Sequence, residues 1–249
     1  MRLFWLVLTL LTFAGPVWLI YRGEVNLQLD WRTANRATAN IAPHPKDHPE
    51  AIIQVYSASA FNWRKIFGVH TWIAVKPKNA TQYKVLQVIG WRLLMGKPAL
   101  STEADIPDRY WFAEKPKVIL DVRGKKAEEL IPKIVKAAAD YPYPNNYDVW
   151  PGPNSNSFTA YIARQVPELE LSLPSNAVGK DYLSSTKFFA RAPSGTGFQL
   201  SLFGLAGILI AKDEGLEINL LGLVYGISPT YMTLKLPGFG DIGLVGVKK

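Results

Sequence analysis

Residues 3–20, LFWLVLTLLTFAGPVWLI, contain no charged side chain. At a rise of about 1.5 Å per residue, a helix over this run is about 27 Å long, which nearly equals the thickness of the hydrocarbon core of a bilayer. Trp5, Trp18 and Tyr21 lie near its ends, where interfacial aromatic side chains are common. The run therefore predicts a transmembrane anchor over residues 1–22, with a cleaved signal segment as the alternative.

The charges beside this run predict how it is oriented. Arg2 and the free amino group precede the run, whereas Arg22 behind it is followed by Glu24. Because positive residues favour the cytoplasmic side, we expect a single-pass protein with its N-terminus inside and the bulk of the chain outside the cytoplasm. The lipid bilayer is thus a predicted partner.

The composition narrows the possible functions. The 249-residue chain has a formal net charge of +8, but its lysines and arginines are scattered, so we expect attraction to anionic lipid and no nucleic-acid partner. It contains no cysteine, which excludes disulfides, thiolate metal sites and cysteine catalysis. His44 and His48 lie among prolines that prevent a regular helix. We therefore predict no metal site and no cofactor.

The middle of the chain alternates between strand and helix patterns. Strands are predicted at residues 51–56, 69–76, 83–91 and 117–124, and the second and third form a predicted hairpin. Apolar residues at three- and four-residue steps predict a helix from Ala127 to Ala138, although Pro132 kinks it or delays its start. A second helix is predicted over residues 155–166. The sequence therefore predicts an α+β domain over residues 51–190, with packed helices and an antiparallel sheet.

The regions on either side of this domain have a different character. Residues 23–50 are polar and predict a linker that packs on the domain, because Trp31 is costly to expose. SLFGLAGILI (201–210) and NLLGLVYGIS (219–228) resemble one another, and KDEG between them is a turn signal. They predict a glycine-rich β-hairpin within a β-rich extension over residues 191–249. We hypothesise that this hairpin rests against the bilayer.

The stretch WPGPNSNSFTAY (150–161) contains the candidate nucleophile. Ser155 would open a helix, where unpaired backbone N–H groups and the positive end of the dipole could bind an oxyanion. His70, on a predicted strand, would act as the base. Gln87 on the next strand would orient the imidazole. Taken singly, Ser155 could equally be a helix cap and His70 an ordinary strand residue.

These residues also resemble known families. The order of a His70-Thr71 strand, a second strand, a helix and then Asn154-Ser155-Asn156-Ser157-Phe158 is similar to the permuted papain-like hydrolases, which include NlpC-type, PPPDE and lecithin–retinol acyltransferase-like proteins. Ser155 stands where those families have cysteine. The resemblance implies a permuted papain-like fold in which Ser155, His70 and Gln87 are catalytic. It also suggests that Asn154, Asn156, Tyr147 and Trp72 bind substrate.

A closer resemblance covers most of residues 30–249. The stretches HTWIAVKP and WPGPNSN are similar to an uncharacterised bacterial domain family of unknown function. This likeness implies a bacterial protein and no known activity. Together with the predicted anchor, it leads us to expect an inner-membrane protein whose domain is periplasmic.

Three functions stay open from the sequence. The chain is interpreted as a cell-envelope hydrolase or acyl transferase that acts on an amide or ester through a Ser-His pair. Alternatively, it is a catalytically inactive papain-like domain that binds a cell-wall peptide, peptidoglycan or lipid. In the third interpretation it is a structural, membrane-associated protein, and WPGPNSN is a turn.

Overall fold

The computed structural model describes residues 1–243 and shows an α+β protein with two antiparallel sheets and four helices. The helices are α1 (Arg2–Tyr21), α2 (Trp91–Leu94), α3 (Lys125–Ala139) and α4 (Ser155–Gln165). The first sheet contains β1 (Ile52–Ser59), β2 (Val69–Lys76), β3 (Lys84–Val88), β4 (Leu100–Ala104) and β5 (Lys117–Arg123). Short 3₁₀ helices cover Asn62–Ile66 and Pro167–Leu169.

The second sheet is built from the C-terminal part of the chain. Its strands are β6 (Phe189–Arg191), β7 (Gly197–Leu202), β8 (Ala206–Ala211), β9 (Gly215–Leu220), β10 (Leu223–Ser228), β11 (Thr233–Leu236) and β12 (Gly240–Gly243). Each strand pairs with its neighbours in sequence, so the sheet is a simple meander. The last residues of the predicted extension, 244–249, lie outside the described residues.

The first sheet has the order β4-β3-β2-β1-β5 and is covered on both faces. The predicted hairpin of β2 and β3 is confirmed, with Ile73 opposite Leu86. One face carries Ile53, Ile73 and Leu86 and packs against α3 and α4, which together form the larger core. The other face forms a smaller core around Tyr56 and Trp72. Because both faces are covered, β1 and β2 are almost wholly buried, including polar residues such as Gln54, Thr71 and Lys76.

Helix α3 begins at Lys125 and passes through Pro132 without ending. Its buried residues recur on the predicted face, which confirms the amphipathic pattern. Helix α4 begins at Ser155, as predicted, and Pro167 follows its last residues.

The predicted C-terminal hairpin is wrong in detail. Each of its two predicted strands, 201–210 and 219–228, is broken by a tight turn, so the region forms four strands, β7 to β10. The breaks fall at Phe203-Gly204 and Leu221-Gly222, where all four residues have positive φ angles. Such angles suit the two-residue turns that join twisted strands. The KDEG turn between β8 and β9 is confirmed.

The predicted transmembrane anchor is not supported. Within residues 1–243, none of the helices meets the combined length and apolarity that a bilayer span requires. Helix α1 instead contacts the second sheet: the Thr12 hydroxyl lies 2.5 Å from the Tyr225 hydroxyl. At Gly15, an added Cβ would lie 2.4 Å from the carbonyl oxygen of Pro237. The small residue therefore lets the helix approach the β11–β12 turn closely.

Residues 23–50 contact the first lobe, which we define as the first sheet with helices α2, α3 and α4, although Trp31, which we expected to be covered, is half exposed. The Asp108 carboxylate accepts hydrogen bonds from the Thr38 hydroxyl and from the backbone N–H groups of Ile41 and Ala42. Tyr83 donates to the carbonyl of Pro43. These bonds fix the segment along the edge of the second, smaller core.

Candidate functional site

The N-terminus of α4 is held by a reciprocal capping interaction. The side-chain carbonyl of Asn154 accepts from the backbone N–H groups of Asn156 and Ser157, at 2.9 and 3.1 Å. The Ser157 hydroxyl accepts from the backbone N–H of Asn154 at 2.6 Å. Asn154 is therefore the cap, and Ser155 is the first helical residue. The four side chains from 154 to 157 are buried.

Asn156 ties α4 to β2. Its amide nitrogen donates to the carbonyls of Val69 and Val178, at 2.9 and 2.8 Å. Its amide oxygen lies 3.0 Å from the Thr71 hydroxyl. Thr159, one turn further along α4, also lies 3.0 Å from that hydroxyl. The side chain of Thr71 therefore points from β2 towards α4.

His70 points the other way. Successive side chains of a strand project to opposite faces, so the residue before Thr71 faces away from α4. The imidazole of His70 stacks on Trp111, with ring centroids 3.5 Å apart, and lies beside Trp72. Its Nε2 is 3.3 Å from the side-chain oxygen of Gln87, so the predicted base and its predicted orienting residue do meet.

Burial makes this imidazole a weak base. Removal from water lowers the pKa of His70 to about 3, and the contact with Gln87 opposes that effect only in part. A general base works best with a pKa near the operating pH. His70 is therefore neutral at physiological pH and poorly suited to take a proton from a serine hydroxyl.

The structure does not bring Ser155 and His70 together as a hydrogen-bonded pair. Among the described residues, the Ser155 side chain makes no hydrogen bond, and the backbone carbonyl of Ser155 accepts from Thr159. The expected arrangement, a strand histidine facing the helix start, is thus replaced by one in which Thr71 faces the helix. The physical reason is that successive side chains of β2 point to opposite faces of the sheet, so that His70 and Thr71 cannot both face α4.

The four predicted substrate-binding residues are engaged in internal contacts. Trp72 is 3% exposed, stacks on Tyr56 and donates to the carbonyl of Pro107 at 2.7 Å. The ring of Tyr147 packs against the backbone of Gly90, and burial raises the pKa of its hydroxyl. The amides of Asn154 and Asn156 bind backbone carbonyls.

A surface cavity of about 660 Å³ lies elsewhere. It is bordered by the linker and by the segment around Asp105 and Asp108. None of the predicted site residues lines it. The carboxylates at its wall already bind Arg109 and the linker backbone.

The feature that the sequence analysis missed is the arrangement of the second sheet. We call the side that carries Gln199, Glu217 and Lys235 the inner face, because Arg164 of α4 donates to Gln199 across it. Glu217 binds the ammonium groups of Lys180 and Lys235, which are all but completely buried. The attraction of Asp181 and Glu217 outweighs the burial that disfavours charge on Lys180, so its pKa is raised.

The opposite side of this sheet, the outer face, is apolar and exposed. Paired residues form a row across six strands: Phe198, Ile210, Leu216, Ile227, Leu234 and Ile242. Every member of the row is exposed, and Ile210 reaches 61%. Among the outward positions of the described strands, only Arg191, which pairs with Phe198, carries a charge.

The polarity of the two faces of this sheet is the reverse of that expected for a sheet with one face in water. A sheet with one solvated side normally places apolar residues inward and polar residues outward. Here the alternation in FQLSL (198–202) and GLEINL (215–220) puts glutamine, serine, glutamate and asparagine inside and phenylalanine, leucine and isoleucine outside. This period-two signal was visible in the sequence, but it fixes no direction until the sheet packs on the rest of the chain.

The outer face continues onto α1. The helix lies beside Tyr225, whose neighbours on the same side of β10 are Leu223 and Ile227. Exposed apolar side chains of α1 include Leu6, Leu10, Phe13 and Val17. Seven strands of three to six residues, about 4.8 Å apart, give a face of about 30 Å by about 17 Å, or about 500 Å². That area already reaches the upper range for the largest apolar patch of a soluble monomer.

Together, these features define an α+β protein with one sheet covered on both faces and one sheet whose apolar side is largely exposed beside its contact with α1. The chain belongs to the family described as protein of unknown function, DUF3750, whose family model matches residues 50–182. The expected membership of an uncharacterised domain family is thus confirmed, although over a shorter stretch than residues 30–249. Searches of curated proteins and of solved structures found no match.

Proposed function

We propose that this protein binds the surface of a lipid bilayer through the outer face of its C-terminal sheet, and that its α4 region is structural and not catalytic. This proposal corresponds to the second function left open by the sequence, a catalytically inactive domain, with lipid as its ligand. The observation that carries it is the reversed sheet, with a buried ionic inner face and an exposed apolar outer face. An apolar medium on the outer side accounts for that reversal.

Lipid is a better occupant of this face than a second copy of the chain. The outer face and α1 form one apolar surface with Arg191 at its edge and an exposed Lys212 in the β8–β9 turn. Self-association would press two copies of a chain with a net charge of +8 against each other. Anionic headgroups would instead neutralise these cations.

Vesicle co-sedimentation of the full chain tests this proposal. We expect the protein to pellet with phosphatidylglycerol-containing vesicles. Replacing Ile210 and Ile218 together by glutamate should reduce the bound fraction at least tenfold, since each apolar side chain removed from water contributes about 1.5–3 kcal/mol.

The control for this experiment is Leu94→Glu, a similar substitution of an exposed side chain on α2 in the first lobe. It should leave vesicle binding unchanged. The proposal is wrong if the wild-type protein stays in the supernatant, or if the Leu94 variant loses binding as strongly as the Ile210 and Ile218 variant.

A serine hydrolase is the second candidate, and the contact between His70 and Gln87 is the observation that favours it. It requires the imidazole to move to the other side of β2. A fluorophosphonate probe should then label Ser155, and the label should be absent from Ser155→Ala and His70→Ala. Absence of labelling on folded wild-type protein would exclude this candidate.

A further inference from the structure

The two ends of the C-terminal sheet differ in character. At one end, the turns that join β7 to β8, β9 to β10 and β11 to β12 carry the exposed apolar residues Phe203, Leu221 and Phe239. The indole of Trp150 donates to the carbonyl of Leu221 at 2.9 Å, and this tryptophan is also exposed. No charged residue occurs in these three turns.

The other end of the sheet carries two cations on the outer side. Arg191 is exposed and pairs with Phe198, so it projects from the same face. Lys212 follows Ile210 by two positions and is exposed, whereas the adjacent Asp213 and Glu214 are buried. The Glu214 carboxylate accepts from the backbone and the hydroxyl of Ser194 on the inner side. The Glu214 carboxylate is therefore directed away from the outer face, and Asp213 is buried.

The apolar turns are also unfavourable for stability in water. Leu221 has a φ angle of 54° and is 69% exposed. A left-handed backbone disfavours a bulky residue, and asparagine or glycine is the usual choice at such a turn. Phe203, with a φ angle of 55°, repeats this pattern in the β7–β8 turn. The Phe203 ring packs edge-on against Phe188, with ring centroids 5.5 Å apart, and both Phe203 and Leu221 stay exposed, so an external apolar environment would add a favourable contribution at each turn.

We infer that the protein selects anionic membranes and binds them at a tilt, with the Phe203 and Leu221 turns in the acyl region and Arg191 and Lys212 at the lipid phosphates. This inference rests on the proposed function and adds to it the class of lipid and the direction of insertion. The apolar turns insert into the acyl region, and Arg191 and Lys212 bind the anionic headgroups.

Depth-dependent quenching tests the direction of insertion. Because the chain contains no cysteine, single cysteines label one site only. Leu221→Cys and Met232→Cys are matched, since both positions are 69% exposed, both have positive φ angles, and they lie in turns at opposite ends of β10. An environment-sensitive fluorophore at position 221 should be quenched by a nitroxide deep in the acyl chain. At position 232 it should be quenched by a headgroup nitroxide. Equal or reversed depths would overturn the tilt.

Lipid titration tests the selectivity. Binding to vesicles should rise with the phosphatidylglycerol fraction, and replacing Arg191 and Lys212 together by alanine should weaken binding to these vesicles about thirty-fold. It should change binding to phosphatidylcholine vesicles little. Lys125→Ala, an exposed lysine on α3, is the control and should have no effect.

The outcomes separate this inference from the proposal it extends. If the wild-type protein binds no vesicles, the proposed function fails. If it binds both vesicle types equally and the Arg191 and Lys212 variant behaves as wild type, surface binding stands and the anionic selectivity is wrong. Thermal melting of each variant identifies any loss of binding that comes from unfolding.

Discussion

At the scale of single residues, the stretch around Ser155 is organised by its neighbours. Asn154 accepts from two backbone N–H groups at the start of α4 and donates to the carbonyls of Val149 and Val178. An added Cβ at Gly179 would meet the Asn154 amide at 2.3 Å, so that glycine is required by the close approach. Ser155, the residue that the resemblance suggests as the nucleophile, therefore lies next to Asn154, which caps α4 and binds it to the neighbouring segments.

Asn154→Ala should lower the free energy of unfolding by at least about 1–2 kcal/mol, because it removes the helix cap. Ser155→Ala should change it by no more than about 0.5 kcal/mol, since alanine is the better helix former and the serine side chain has no hydrogen bond among the described residues. Equilibrium urea denaturation measures both. A larger loss for Ser155→Ala than for Asn154→Ala would contradict the assignment of the cap.

His70 should make stability depend on pH. Its folded pKa of about 3 lies below the unfolded value of about 6.5, so the unfolded chain binds more protons between these limits. The contribution is fully present above about pH 6.5 and is lost as the pH falls, by up to about 1.4 kcal/mol per unit. Denaturation at pH 7 and pH 5 should show a smaller difference for His70→Phe than for the wild type. Equal differences would show that His70 is not a buried neutral base.

At the scale of secondary structure elements, the side chains of β9 alternate between a buried, charged environment and the exposed outer face. Glu217 lies between Lys180 and Lys235 on the buried side, and the Lys235 ammonium is 2.5 Å from its carboxylate. Ile218, the next residue, is exposed on the outer face. A buried charge pair is costly to break, because the remaining charges cannot be solvated.

Glu217→Gln should therefore cost about 3–5 kcal/mol of unfolding free energy, because it leaves the buried Lys235 ammonium without its carboxylate and leaves Lys180 with Asp181 as its remaining carboxylate. The matched substitution Ile218→Thr, one residue away on the outer face, should cost less than about 1 kcal/mol in the absence of lipid. Chemical denaturation of the two variants side by side measures the difference. Similar losses would mean that the inner and outer faces of the sheet are assigned incorrectly.

At the scale of the whole molecule, α1 and the second sheet form a single apolar surface. The contact depends on Gly15, where an added Cβ would lie 2.4 Å from the Pro237 carbonyl oxygen and 2.7 Å from the Phe239 backbone nitrogen. Backbone atoms cannot move away as easily as the end of a side chain. The position of α1 is therefore sensitive to this one residue.

Gly15→Leu should detach α1 from the β11–β12 turn. Amide exchange over residues 10–20 should become faster in detergent-free buffer, whereas exchange in β1 and β2 should stay slow. Val17→Leu is the control, since the Val17 side chain is exposed. If exchange in α1 is unchanged in Gly15→Leu, the helix is not held by this contact.

Residue types predict the local elements and much of the first lobe without reference to the packing. The strand patterns of β1 and β2, the amphipathic pattern of α3 and the start of α4 at Ser155 each follow from residue types within a few positions, so they could be predicted. The proximity of His70 and Gln87 also followed from pairing across the hairpin. That Thr71 and not His70 faces α4 could not be predicted, because it depends on which side of β2 packs on the helices. The second sheet follows the same rule. The alternation of polar and apolar residues is present in its sequence, but its polar side faces inward because that side packs on Lys180 and Arg164.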